Sequence, residues 1–206
     1  MITIVDYNGG NLRSVKRACD AVGIEAVFTQ DPDRVARAER VIFPGVGHAK
    51  TAMETLDRTG LAAAVKQVFE RGVPLLGICV GAQLLLDGSD EGPTHGLGFL
   101  PGRTRLLEVD DPRLKIPHIG WNAVQVERPH PLLAHLRPND ELYFVHSYFL
   151  DPAEAKHRYA TTEHGRRFCC AIGRDNLFAT QFHPEKSARL GLELLANFAR
   201  WEGTPC

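Results

Sequence analysis

The segment Leu75-Leu76-Gly77-Ile78-Cys79-Val80-Gly81-Ala82-Gln83-Leu84-Leu85 constrains this chain more than any other. An apolar run reaches a cysteine with a glycine two residues away on either side, and an apolar helical pattern follows. That reads as a buried strand, a sharp turn and a helix, with Gly-x-Cys-x-Gly as a thiol version of the nucleophile elbow. Small residues at 77 and 81 let the backbone pass close around a strained nucleophile. The helix that follows aims its unpaired N–H groups and positive dipole end at Cys79, which favours thiolate, the reactive form. The backbone N–H of Val80 is then placed to bind a developing oxyanion. Taken alone, the segment also reads as a buried structural cysteine beside a packing glycine.

The flanking sequence supplies a sheet for such an elbow. Ile2–Val5 is a short apolar run, Asp6–Asn11 a turn, and Leu12, Val15, Cys19 and Val22 recur at helical spacing, with Gly23 placed to end the helix. Glu25–Phe28 and Arg40–Phe43 read as strands, Lys50–Asp57 and Leu61–Arg71 as helices, and Pro74–Ile78 as the strand ending at Cys79. Strands alternating with helices imply parallel βαβ units. Between Pro101 and Arg167 the runs Thr104–Val109, Ala123–Val126, Glu141–Val145 and Arg158–Thr161 are separated by Pro, Asp and Gly. They look like added antiparallel strands, not a second domain. Leu177–Phe182 reads as a strand and Ser187–Trp201 as a closing helix. The expected fold is α/β with a mostly parallel central sheet, in a single domain over residues 1–206, long enough to bury a sizeable core.

A second chemical pattern, Gln181-Phe182-His183-Pro184-Glu185-Lys186, follows the last strand. In extended chain residues i and i+2 face one side, so Glu185 can hold the His183 imidazole in one tautomer and stabilise its charged form. His183 can then take the thiol proton and return it to a leaving amine. Alone, the pair also reads as a surface His and Glu at a strand end. Both patterns follow parallel-strand candidates, where open α/β sheets place their sites. Val41–Gly47 is a strand followed by a glycine turn with free amides. A phosphate cradle is its rival reading, but no Gly-Lys-Ser/Thr follows. Asp6–Asn11 lacks the full dinucleotide fingerprint.

Composition narrows the partners. With 44% apolar residues, 24% charged residues and a net charge of −1, neither nucleic acid nor an anionic membrane is expected as the main partner. No apolar run approaches the ~20 residues that span a bilayer. The start, Met1–Asp6, lacks the basic n-region of a signal peptide, so the cytoplasm is the expected compartment. The cysteine count of 5 is odd and no C-x-x-C occurs, which argues against a disulfide framework or a zinc site. No metal or cofactor is expected. Cys19, Cys169 and Cys170 read as small buried hydrophobes, and Cys206 as exposed. His130, His135, His157 and His164 lie in polar runs without ligand spacing and read as solvated.

These motifs resemble the class I (triad) glutamine amidotransferases over nearly the whole chain. The likeness rests on Asp6-Tyr7 with Gly9-Gly10-Asn11, Pro44-Gly45-Val46-Gly47, Gly77 through Gln83, Ile116 through Asn122, Phe144 through Tyr148, and Gln181 through Ser187. The cysteine elbow and H-P-E mark the superfamily. P-G-V-G, I-P-H-x-G-W-N and F-V-H-S-Y are similar to the branch that serves imidazole glycerol phosphate synthesis. The resemblance implies a three-layer α/β sandwich, glutamine as substrate, and Cys79 as nucleophile, His183 as acid/base and Glu185 as its orienter. It implies the amide of Val46 as a second oxyanion donor beside that of Val80. Gly47, Gln83, Glu91, Ser147 and Tyr148 match positions that hold glutamine, and Asn11, Tyr143 and Lys186 match positions at the mouth facing a (β/α)8-barrel cyclase in a heterodimer. Ala82 stands where many relatives carry a bulkier residue. His118 and Trp121 read as structural or interface residues. Three other readings stay open: a glutaminase subunit of anthranilate, aminodeoxychorismate or pyridoxal phosphate synthesis, a non-catalytic regulatory subunit, and a thiol redox protein of similar fold.

Overall fold

The computed structural model describes residues 1–204, so the expectation for Cys206 falls outside the described residues. The first half follows the alternating pattern: β1 (Ile2–Val5), α1 (Leu12–Ala21), β2 (Ala26–Thr29), α2 (Pro32–Ala36), β3 (Val41–Gly45), α3 (Ala49–Thr59), α4 (Leu61–Glu70), β4 (Leu75–Cys79) and α5 (Val80–Gln83). β1 pairs in parallel with β2 and β3, and β3 with β4. Every residue of β1, β3 and β4 is buried, as expected of parallel strands covered on both faces. The helices bury residues at three- and four-residue spacing: Ala52, Met53 and Leu56 in α3, and Leu61, Ala64, Val65 and Val68 in α4. α1 packs with α6, and α4 with α2 and α3, as two separate groups of helices.

The second half comprises β5 (Leu86–Ser89), β6 (Thr94–His95), β7 (Leu100–Leu106), β8 (His118–Ala123), β9 (Gln125–Val126), β10 (Glu141–His146), β11 (Tyr148–Pro152), β12 (Arg158–His164), β13 (Arg166–Arg174), β14 (Leu177–Thr180) and α6 (Ala188–Arg200). The main sheet runs β2-β1-β3-β4-β14-β13-β11-β7-β5-β6, with β12 and β9 attached through β13. β14 joins β4 in parallel, which completes five contiguous parallel strands. β13, β11 and β7 extend this core antiparallel, and β8 and β10 form a separate antiparallel pair. The result is the mixed α/β fold with added antiparallel strands that the sequence pattern predicts. Placing β14 beside β4 brings Cys79 and the Gln181–Glu185 segment to the same end of the sheet. Phe43, Phe178, Phe182 and Phe198 are fully buried in the core, each contributing about 1.5–3 kcal/mol of apolar burial.

The sequence pattern leaves β6, β8 and β11 unmarked and sets a strand at Thr104–Val109 in place of Leu100–Leu106; three further elements differ for a local reason. The helix after Cys79 lasts one turn and then becomes β5. The carbonyls of Leu84, Leu85 and Leu86 bond to the amides of Leu97, Phe99 and Gly98, so sheet-like pairing replaces further helix. α2 has no apolar period because only Val35 is buried; Asp31 caps it by accepting from the Asp33 amide. β13 carries buried Cys169 and Cys170 between charged ends, which masks its strand pattern.

Candidate active site

Cys79 ends β4 with φ 53° and ψ −113°. A non-glycine residue in that region carries about 1–3 kcal/mol of strain and persists only where its surroundings fix it. They do so backbone against backbone. A β-carbon at Gly81 would overlap the carbonyl oxygen of Phe43, and one at Gly45 would crowd Tyr7 Oη and the Gly81 amide. Gly45 is also the register partner of Cys79, so β3, β4 and α5 lock the elbow together. The thiol is 4% exposed.

His183 follows β14, and its Nδ1 lies 2.7 Å from Glu185 Oε1, both side chains being 2% exposed. The local geometry differs from the extended chain expected: Pro184–Lys186 is a turn of 3-10 helix. Glu185 reaches the ring by folding back, not by strand alternation. Ser187 Oγ fastens this turn, donating to the His183 carbonyl at 2.7 Å and accepting from the Tyr143 amide at 2.9 Å. The His183 amide in turn donates to the Tyr143 carbonyl at 2.9 Å. Burial pushes the His183 imidazole down, but the Cys79 sulfur and the Glu185 carboxylate outweigh it and hold the ring up at about 10. With Nδ1 committed to the carboxylate, Nε2 is the nitrogen free to exchange a proton, and it has no aligned partner.

A cleft of about 380 Å³ joins these groups. Cys79, Val80 and His183 line it with Val46 and Gly47 from the turn after β3. Gln83, Glu91, Ser147 and Tyr148 complete the wall, and Lys186 also borders it. Glu91 has a second engagement, accepting from the Ala49 amide at 2.7 Å at the start of α3. Lys186 Nζ sits 5.7 Å from the Tyr143 ring centroid. Tyr143 and Asn11 do not line the cleft; Asn11 is exposed just before α1. A larger cavity of about 520 Å³, lined by β8, β9 and β12 residues such as Asn122, Gln125 and Thr162, holds none of the reactive groups.

The histidines need correction. His130 and His157 are buried at 4% and 6% exposure, not solvated. The Pro131 turn folds His130 onto Phe178, with ring centroids 4.1 Å apart, and His157 Nδ1 meets the Gly173 carbonyl at 3.1 Å. His135 bonds the Leu190 carbonyl, and His164 stacks on His118 at 4.2 Å. His118 and His146, register partners on β8 and β10, are both buried, and His146 lines the cleft. Burial holds His118 and His130 down at about 4 and His146 at about 3. Sequence reasoning missed His146 and Gln181 as parts of the site. The F-V-H-S-Y and Q-F-H-P-E segments contained both, but only contacts across strands reveal them. Cys19, Cys169 and Cys170 are buried, and burial pushes Cys19 up to about 11 and Cys169 to about 12, which keeps them inert. Among the described residues no three His, Cys, Asp or Glu side chains converge as metal ligands, and no helix is long and apolar enough to cross a membrane.

Comparison with known proteins gives a consistent picture. Residues 3–201 match the family described as glutamine amidotransferase class-I. The imidazole glycerol phosphate synthase subunit HisH of Chromobacterium violaceum is 45% identical, covering 98% of each chain. The subunit of that name from Moorella thermoacetica is 48% identical over 96% of this chain and 93% of its own. A crystal structure of a glutamine amidotransferase superposes with a TM-score of 0.76 at 20% identity, over 99% of this chain and 100% of that one. PurLQS from Thermotoga maritima gives 0.73 at 18% identity, over 97% of each chain. At such identities the two structures establish the fold alone.

Proposed function

The chain belongs to the class I glutamine amidotransferase family, and we propose that it is the glutaminase subunit of an imidazole glycerol phosphate synthase, working through Cys79, His183 and Glu185. The observation that carries this reading is the buried His183–Glu185 pair, with its free Nε2, in one cleft with a cysteine on a strained elbow.

The Cys79 thiolate attacks the carboxamide carbon of glutamine. The oxyanion rests on the amides of Val46 and Val80. Imidazolium Nε2 of His183 gives its proton to the departing nitrogen as the C–N bond breaks, leaving ammonia and a glutamyl thioester. His183, now neutral, takes a proton from water, which attacks the thioester and releases glutamate and thiolate. Glu185 keeps Nδ1 protonated throughout. Gly47, Gln83, Glu91, Ser147 and Tyr148 hold the amino acid part of the substrate.

Ammonia released into water would be protonated and lost as a nucleophile. A synthase subunit placed against the cleft mouth receives it instead. The partner is a (β/α)8-barrel cyclase in a heterodimer, which uses the ammonia to make imidazole glycerol phosphate and an aminoimidazole carboxamide ribonucleotide. Exposed Ile119 and Trp121 on β8, together with Asn11, Tyr143 and Lys186, suit a docking face. The chain acts as one domain, in the cytoplasm, without a metal or cofactor. The test is glutamate release by wild type and Cys79→Ala, with and without the cyclase and its nucleotide. Release should need Cys79 and rise with loaded cyclase; equal turnover in all four arms overturns the reading.

A further inference from the structure

We propose that Gln181 is a further catalytic residue, whose side-chain N–H holds the Cys79 sulfur as thiolate in a direction fixed by Gln83 and the Tyr148 carbonyl. The inference rests on Cys79 being the nucleophile.

Gln181 is fully buried, one residue past β14, and its Nε2 lies 3.7 Å from Cys79 Sγ. Its Oε1 accepts from Gln83 Nε2 at 3.1 Å, and Gln83 Nε2 also donates to the Tyr148 carbonyl at 3.1 Å. That carbonyl decides the polarity of the whole set. A backbone oxygen only accepts, so Gln83 must present its NH2 group there. The same NH2 then requires an oxygen from Gln181, and the nitrogen of Gln181 is left facing sulfur. Reversing Gln83 would set its oxygen against the Tyr148 carbonyl oxygen, and reversing Gln181 alone would set its NH2 group against that of Gln83.

The Tyr148 carbonyl is held from its other side as well. His146 Nδ1 donates to it at 2.8 Å, so the neutral ring accepts at Nε2, where His118 Nδ1 donates at 3.1 Å. His118 Nε2 accepts from Asn122 Nδ2 at 3.2 Å, and Asn122 also donates to the Glu163 carbonyl at 2.7 Å. A one-way chain of donors thus runs from β8 to the carbonyl that sets the Gln83 and Gln181 amides.

The thiol form of Cys79 has an acceptor neighbour, the Val145 carbonyl at 4.0 Å. An N–H bond to the ionised sulfur is much stronger than one to the thiol, so Gln181 acts in the opposite sense. Its contribution is needed because α5 is a single turn and supplies little of a helix dipole. A merely structural glutamine would fill space and satisfy Gln83 without favouring either form of the sulfur.

The test is the pH dependence of Cys79 alkylation by iodoacetamide in the full chain, followed on the Cys79 peptide by mass spectrometry. His183 and Tyr7 interact with the sulfur, and His146 on β10, Glu91 after β5 and Lys186 after β14 line the same cleft; Gln181→Met alters none of these titratable groups. The midpoint should move upward by about one pH unit relative to wild type. An unchanged midpoint in folded Gln181→Met overturns the proposal. Should that variant not fold, the side-chain amide signals of Gln181 in NMR spectra decide instead. In wild type they should follow the ionisation of Cys79 and lose that step in Cys79→Ala; identical titrations overturn the proposal. Neither readout needs glutamine, so failure here is separable from failure of the glutaminase reading.

Discussion

The α-carbon of Gly81 sits so close to β3 that a β-carbon on it would overlap the carbonyl oxygen of Phe43 and stand 2.8 Å from the carbonyl carbon. Both atoms are backbone in a fully buried strand and cannot move aside. Gly81→Ala should therefore cost about 3 kcal/mol or more of stability, the upper end for overpacking, and displace the elbow. Glutamine hydrolysis should fall at least ~100-fold, since a misplacement of about 1 Å suffices for that. Gly77→Ala is the milder comparison: the one contact under 3.0 Å is Leu85 Cδ1 at 2.7 Å, the end of a side chain, with Ala179 Cβ at 3.0 Å and Ala82 Cα at 3.1 Å behind it. The Leu85 methyl can swing aside and the other two contacts need only a few tenths of an ångström, so about 1–2 kcal/mol is expected. Urea denaturation and glutamate release separate the two variants; equal behaviour would show that the close approach does not fix the elbow.

Glu185→Gln keeps the shape of the turn and removes its charge. The amide can offer Nδ1 a donor, which favours the wrong tautomer, so kcat should fall by about 10³-fold or more with little change in KM. Stability supplies a second readout. The folded value for His183, about 10, lies above its ordinary 6.5. A raised value stabilises fully below pH 6.5, and that contribution is lost as pH rises through about 10. Wild type should lose stability over that window, and Glu185→Gln should lose less. Parallel curves of urea midpoint against pH would refute the assignment of Glu185 as the group holding the imidazolium.

Acid should weaken the fold through His118, His130 and His146. Burial holds them down at about 4, 4 and 3, below the ordinary 6.5. The unfolded chain then binds protons from pH 6.5 downward while the folded one does not, so stability falls as pH falls. Each histidine contributes on the order of 1 kcal/mol per pH unit between 6.5 and its folded value. His130→Gln should flatten this slope without touching the cleft. A slope identical to wild type would mean that His130 is already protonated in the folded protein.

Much of this was legible because local pattern and tertiary need agree. The β4 run ends in Cys79 between glycines, and a β-carbon would meet backbone at Gly81 and press on the Leu85 side chain at Gly77. His183 and Glu185 pair as expected, yet through a 3-10 turn that the extended-chain argument did not foresee. The buried histidines were illegible for a different reason. His130 and His157 lie among polar and proline residues, and only long-range folding onto Phe178 and β13 buries them. Gln181 was equally hidden, since its bond to Cys79 spans 102 positions. α5 shortened because sheet pairing at Leu84–Leu86 overrode helical spacing.

Docking of the cyclase should depend on Trp121. It stands 49% exposed on β8 beside Ile119 at 61%, on a two-stranded sheet separate from the main one. Its register partner is Tyr143, with ring centroids 6.0 Å apart in an edge arrangement, and Tyr143 in turn faces Lys186 at the cleft. Large aromatics are the side chains that most often anchor interfaces, whereas exposed positions contribute little to folding. Trp121→Ala should change stability by no more than about 0.5 kcal/mol and leave glutaminase activity without cyclase unaltered. It should weaken cyclase binding by on the order of 2 kcal/mol, about 30-fold in Kd. Stimulated glutamate release should then be lost at limiting cyclase and recovered at excess. Stimulation at wild-type cyclase concentrations would place the docking face elsewhere on the chain.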